Sequence, residues 1–310
     1  MQFVEHIGNG LPEALSLRVE SNGNTGLARC FRLLSGTARV QKSGGRAIHL
    51  DTFVPNPILT GTARDRLEAL GDKLGEGLSC DDLAELCILN RRRNEQFFLA
   101  LGDELAWLLM YQKKGEHIAS FVYLYRTLEA VAFSFPMIYA TKARDFRLSF
   151  EQIKKNFSGK ENFGELGVFK QFVNAISDGE LQSVVYQIDV SGLDSGRIAK
   201  LKSTLERICP GLMKPGRSLI SVDSDTGLVT IQFLAMPDFI VSVRNAFVHL
   251  QSGSSKNIAA NEIYDIEDFL RQIVREGLDF FCTVFLVVCE AMADQPIIPN
   301  PALSAASARP

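Results

Sequence analysis

Residues 280–293 read FFCTVFLVVCEAMA, the longest apolar stretch in the chain. A membrane span needs roughly 20 apolar residues, and this run falls short of that. It fits a buried core helix instead, the last part of a long helix expected from about Ala260 to Ala293. Cys282 and Cys289 lie seven apart within it, which suits core thiols on one helix face. With 310 residues and 46% hydrophobic composition, the chain can bury a sizeable core, as one large domain or two modest ones.

The remaining segments divide by pattern. LSLRVES, ARCFRLLS, ARVQKS and AIHLDTFV are short and rich in β-formers, with SNGNTG and SGG as turn chemistry between them. Residues 1–58 therefore read as a β-rich N-terminal module, with Asn22-Gly23 as a hairpin signal and Pro55-Asn56-Pro57 as the breaker. Residues 59–293 read as a helical domain. DRLEALGDKLGEGL is one amphipathic helix. Ser79 with Asp81 or Asp82 caps the next, which breaks near Asn94 or Gly102 and ends at Gly115. EHIASFVYLYRTLEAVAFSF follows, running to Pro136 or on to Tyr139.

An insertion is expected at about 145–235. It holds helices over SFEQIKKNF, FGELGVFKQFVNAIS and SGRIAKLKSTLERI, then a β-hairpin of SLISVDS and GLVTIQF around Asp225-Thr226-Gly227. Pro237 suits the first turn of a helix through DFIVSVRNAFVHL, which the loop QSGSSKN breaks. Residues 294–310, rich in proline and small residues, read as a disordered tail. The expected class is mostly α, with a small β-rich N-terminal module and an α/β-hairpin insertion.

Charge and cysteines narrow the chemistry. The net charge of -3 gives no global field that draws nucleic acid. Recognition of RNA would rest on local clusters: Arg91, Arg92 and Arg93; Lys113 with Lys114; Lys154 with Lys155; Arg197, Lys200 and Lys202. Each reads equally as a solvated helix face. The six cysteines form no Cys-x-x-Cys pair and no Cys/His cluster of the kind zinc needs. They fit a reducing compartment. The N-terminus lacks a basic region followed by an apolar core, so a cytoplasmic protein is expected, with no signal peptide and no membrane partner. Phosphate loops, nucleophile elbows, His-Glu-x-x-His and dinucleotide fingerprints are all absent.

Of the four histidines, His6, His49 and His117 have no patterned partner. His249 does. In VRNAFVHLQSG, Arg244-Asn245-x-x-x-His249 occupies one short helix. At ~100° per residue Asn245 and His249 share a face, about 40° apart. Phe239, Val243, Ala246, Phe247 and Leu250 form the opposing apolar stripe. A helix C-terminus favours the imidazolium form of a nearby histidine, and a histidine poised near neutral pH shuttles protons. A guanidinium clamps a phosphate and offsets developing charge. These residue types suit metal-free RNA cleavage, with Asn245 orienting a phosphate oxygen or the histidine. They also fit an Arg and a His that satisfy a helix end and a neighbouring carboxylate.

RNAFVHL at a helix end, followed by a polar loop and a long closing helix, resembles the catalytic signature of the HEPN superfamily. These are α-helical domains with an Arg, a short spacer and a His, and often Asn after the Arg. The resemblance covers roughly residues 116–140 and 237–293. It implies a HEPN-like antiparallel four-helix bundle and a metal-independent endoribonuclease without organic cofactor, of the toxin or anti-phage defence kind. It further implies transfer or messenger RNA as substrate and a homodimer with a composite site built from Arg244 and His249 of each chain. An antitoxin or defence-system partner is also implied, as is the alternative of a non-catalytic binding or regulatory subunit. Family members often carry an internal acidic residue on an aromatic-rich helix. Glu129 is the matching candidate, with Arg244 as its expected cation and Arg126 or solvent as the alternatives. Tyr123 and Tyr125 would stack a base or pack the core. The family's toxins often place a modifiable tyrosine two residues after the histidine. Gln251 stands there instead, which puts control by tyrosine modification in doubt.

Overall fold

The computed structural model describes residues 2–4, 10–17, 23–41, 46–50, 61–72, 78–140, 165–177, 179–214, 216, 218–248, 258, 262–263 and 265–293. The expected SFEQIKKNF helix, the Pro55-Asn56-Pro57 breaker, Lys154, Lys155, the QSGSSKN loop and the 294–310 tail lie outside the described residues.

The class is mostly α, as the apolar periodicities imply. Two short strands, β1 (Gln2–Val4) and β2 (Arg39–Gln41), pair antiparallel with Phe3 opposite Val40, and β3 (Ile48–His49) adds to β2. Between β1 and β2 the expectation fails. ARCFRLLS is not extended; it lies in α1 (Thr25–Leu34). Helix formation here has a local cause and a tertiary one. Asn24 caps the helix, accepting from the Leu27 amide at 3.0 Å, while its own side-chain NH2 donates to the carbonyls of Asn90 and Arg93 at 2.8 and 2.9 Å. So no hairpin turns at Gly23, and the residue before it, Asn22, lies outside the described residues. Arg32, fully buried, is satisfied by Thr37 and by the Leu15 carbonyl. Gly26 lets α1 press against the next long helix, because a Cβ there would come within 2.5 Å of the Leu99 amide.

Helix α2 (Ala63–Gly71) leads to α3 (Cys80–Leu89), which Ser79 and Asp82 start with a reciprocal capping box. The chain then breaks at Asn94, the one non-glycine residue with positive φ among those described. Helix α4 (Glu95–Lys114) ends at Gly115, where φ of 75° suits glycine. Helix α5 (His117–Ala140) continues through Pro136. Its first amides, those of His117 and Ile118, donate to the Glu267 carboxylate at 2.9 and 3.3 Å, a cap supplied from the far end of the chain.

Helix α6 (Glu165–Ile176) packs on α5. Strand β4 (Val185–Asp189), absent from the sequence expectation, precedes α7 (Ser195–Ile208), which Asp194 caps. The expected hairpin forms as β5 (Ile220–Asp223) and β6 (Leu228–Gln232), and β4 joins its open side in the order β4-β6-β5. The sheet rests on the closing helix through Tyr186 and Phe233, whose rings lie 6.2 and 5.1 Å from Phe280. Gln272 fastens its edge: the side chain accepts from the Asp189 amide at 2.7 Å and donates to the Asp189 carbonyl at 2.8 Å. Gln272→Ala leaves both peptide groups without those partners, so a loss of about 1–3 kcal/mol in urea unfolding is expected. A change within error would show that water replaces the amide without cost.

Helix α8 (Met236–Val248) follows β6 after one 3-10 turn, and α9 (Ile266–Ala293) closes the fold. Helix α9 begins later than expected because Asp265 accepts from the Asp268 amide and sets the first turn there. It is the central helix. Phe285, fully buried, lies 5.6 Å from Phe31 of α1, 6.5 Å from Phe98 of α4 and 6.0 Å from Phe135 of α5. Helix α1 thus shares one aromatic core with α4, α5 and α9, although the sequence assigns it to a β-rich module.

Candidate active site

Helix α8 is aimed by three contacts. Its start is directed by β6, with the Phe233 amide bonded to the Val184 carbonyl at 3.0 Å. Lys170 of α6 pairs with Asp238 in its first turn. On its inner side Phe239, Val243 and Ala246 of the expected apolar stripe are buried, with Ile240 beside them, while Phe247 is half-buried. Gly277 of α9 lets α5 and α8 close in, since a Cβ there would meet Leu124 at 2.6 Å and Ile240 at 3.3 Å. The segments 117–140, 236–248 and 266–293 are therefore mutual neighbours.

On the outer side of α8, Arg244 is half-buried and Asn245 exposed. Arg244 Nη1 donates to Asn245 Oδ1 at 3.0 Å. The guanidinium carbon lies 4.5 Å from the centre of the Tyr125 ring on α5. That geometry is a cation–π contact, favourable by about 0.5–1 kcal/mol at a partly exposed site. Tyr125 itself is buried (8% exposed), so its ring is part of the core with one face given to Arg244. Tyr123 is half-buried and stacks on Trp107 and Tyr111.

Glu129 stands one turn beyond Tyr125 on α5 and is half-buried. Among the described residues it forms no ion pair. Arg126, the alternative cation, is held by Glu104 at 2.6 Å. Arg244 and Glu129 thus share a neighbourhood along α5 without direct pairing, and the ring of Tyr125 takes the place expected for the carboxylate. His249 lies outside the described residues, as do Leu250 and His6. His49 sits in β3, and the backbone amide of His117 starts α5 under the Glu267 cap.

Compared with known protein families, characterised proteins and solved structures, the chain matches none.

The remaining chemistry-bearing residues bear on what the site can be. The cysteines are all buried, and burial pushes the Cys30 and Cys87 thiols far above their usual range and Cys209 up to about 11. A thiolate nucleophile is disfavoured at each. No group of three or more metal-ligating side chains occurs among the described residues, and no described helix is long and apolar enough to cross a membrane. A cavity of about 550 Å3 lies away from Arg244, between the end of β4, α7 and the start of α9, with Arg197, Lys200, Asp265 and Asp268 on its wall. The basic residues Arg91, Arg92 and Arg93 are exposed in the α3–α4 turn, and Lys113 and Lys114 at the end of α4.

Proposed function

We propose that this chain is a metal-independent endoribonuclease with a HEPN-like core, acting as a bacterial toxin or anti-phage defence effector on transfer or messenger RNA. The observation that carries this reading is the placement of Arg244: half-buried, steadied by Tyr125 and Asn245, and in the last turns of α8, whose final residue, Val248, directly precedes His249 in the sequence. A guanidinium held at one face by an aromatic ring is pre-oriented, and its planar fork matches the geometry of a phosphate. In the proposed reaction the RNA 2′-oxygen bonds to the adjacent phosphorus and the bond from phosphorus to the 5′-oxygen breaks. One proton leaves the 2′-hydroxyl and one reaches the departing 5′-oxygen. His249 serves as base or acid in that exchange, Arg244 offsets charge on the phosphorane, and Asn245 orients a phosphate oxygen or the imidazole. Glu129, one turn from Tyr125, supplies a local negative charge. The products are a 2′,3′-cyclic phosphate and a 5′-hydroxyl. Cytoplasmic action as a homodimer with a composite site, with or without an antitoxin or defence-system partner, belongs to the same reading.

The test is cleavage of total and transfer RNA by purified wild type and His249→Ala, with end-group analysis of the products. General acid–base catalysis contributes about 10²–10⁴-fold, so His249→Ala should fall by that factor. Equal cleavage by both proteins would assign the activity to a contaminant or another site. A second reading has an observation in its favour: Arg244 already has a ring and an amide as partners, as a structural clip or a non-catalytic regulatory subunit would.

A further inference from the structure

The cavity of about 550 Å3 between the end of β4, α7 and the start of α9 has no part in the chemistry assigned to Arg244. Its walls are pinned. Gln272 of α9 holds the Asp189 amide and carbonyl at 2.7 and 2.8 Å, and Arg207 of α7 pairs at 2.7 Å with Glu262, just ahead of α9. The helices cannot close on the space without breaking these bonds. Pockets that hold small ligands run from roughly 300 to 1,000 Å3, so the space is of a size to be used.

The lining is divided by charge. Arg197 and Lys200, one turn apart, put two cations on the α7 side. Asp265 and Asp268 put carboxylates on the α9 side. The surface between them is apolar, with Val190, Leu201 and Ile263 buried and Leu193 half-buried.

That division selects the ligand. Among the described lining residues four carboxylates stand against two cations, so a phosphate dianion meets more repulsion than attraction. The aromatic residue in the lining, Phe269, is only 3% exposed, so it offers no open ring face to a base. A diamine sets one of its own cations against Arg197 or Lys200. A zwitterion satisfies both sides, with its ammonium at the carboxylates, its carboxylate at the cations and an apolar body between. The distance between its charges sets its length. A sphere of the cavity's volume is ~10 Å across, close to the ~10–11 Å that three extended residues span at most. A free amino acid carries both charges within one residue and cannot reach both sides.

We propose that this cavity binds a short zwitterionic peptide, two or three residues long, with apolar side chains. Arg197 gives its Nε–H to Asp194 at 3.1 Å, and a guanidinium has five donors; the Lys200 ammonium has three. Both can therefore add a carboxylate to the contacts they already make. Asp265 accepts from the Asp268 amide through Oδ1, and its Oδ2 can accept from the peptide ammonium. The site does not rest on the ribonuclease reading.

Calorimetric titration of the full chain with trileucine tests the assignment. Wild type should bind one equivalent. N-acetyl-trileucine amide keeps the side chains and loses both charges, and free leucine is too short. Each should bind at least about tenfold more weakly, the loss of one charge-assisted hydrogen bond. Lys200→Glu, at an exposed position, and Asp265→Asn, which keeps a capping side chain, should each weaken trileucine at least about tenfold with an unchanged circular dichroism spectrum. No binding of trileucine at millimolar concentration overturns the site. Equal affinity for the blocked peptide overturns the recognition of two charged ends, and wild-type affinity in either variant moves the binding away from this cavity. None of these titrations reads RNA cleavage, so their failure leaves the ribonuclease reading untouched, and an inactive nuclease leaves the peptide site standing.

Discussion

Replacing Phe285 with alanine is expected to lower the unfolding free energy by about 3–5 kcal/mol. Its ring is fully buried and meets Phe31, Phe98, Phe135 and Phe281 at centroid distances of 5.6–6.5 Å. Removing it deletes transfer free energy and leaves a cavity that four helices border. These are the long helices that cannot shift without disturbing one another, so little collapse is expected and the cost should sit high in the range. Aromatic pairs add about 0.5–1.5 kcal/mol beyond area alone, and those are lost together. Domains of this size have only about 5–15 kcal/mol in total, so the variant should be close to unfolding at 37 °C. Phe285→Leu keeps most of the volume and should cost only about 1–2 kcal/mol. Urea midpoints at constant slope check both. An alanine variant within 1 kcal/mol of wild type, on the order of a surface change, would mean that α1, α4, α5 and α9 do not share this core.

The two elements that the sequence reading misplaced show what it can detect. Helix α1 has nine of its ten residues buried. The letters keep a helical period, with Thr25, Arg29 and Arg32 on one side and Leu27, Cys30, Phe31 and Leu34 on the other. The turn residues on either side of this short segment outweighed that period in the reading. The deciding contacts are those of Asn24 with Asn90 and Arg93, more than sixty positions away in the chain. Strand β4 is the second case. Its burial alternates, with Tyr186 and Ile188 inside and Val185, Gln187 and Asp189 outside. That period is present in the letters VYQID, and its short length hid it between two helical patterns. Ser79, Asn94 and Gly115 were legible because capping and positive φ are chemical needs met within a few residues.

At the candidate site the sequence supplied the faces and left the pairing open. Tyr125 and Glu129 are four residues apart, so both lie on the side of α5 that turns toward α8. The family resemblance, not periodicity, suggests Arg244 as the neighbour of that side. It does not say which turn of α5 the guanidinium reaches, because that depends on the axial offset between two helices distant in sequence. The offset is fixed by Gly277, by the Lys170–Asp238 pair and by the sheet that feeds α8. Arg126 is a similar case: its partner Glu104 sits on α4, and nothing local names it.

Arg244→Ala should separate chemistry from scaffolding at that site. If Arg244 offsets charge on the phosphorane, its loss removes a preorganised donor, which typically costs about 10²–10³-fold in rate. The same change should cost little stability. The Tyr125 contact is worth about 0.5–1 kcal/mol at such exposure, and Asn245 is exposed and can bond water instead. Arg244→Lys sharpens the comparison. Lysine keeps the charge but not the planar fork, so binding of RNA should persist while cleavage stays at least about tenfold low. A structural clip predicts the reverse: a stability loss of about 1–3 kcal/mol, with cleavage per folded molecule unchanged. Measuring rate and urea midpoint on the same preparations decides between them. A guanidinium needed for the reaction must leave a rate deficit that no correction for unfolded protein removes.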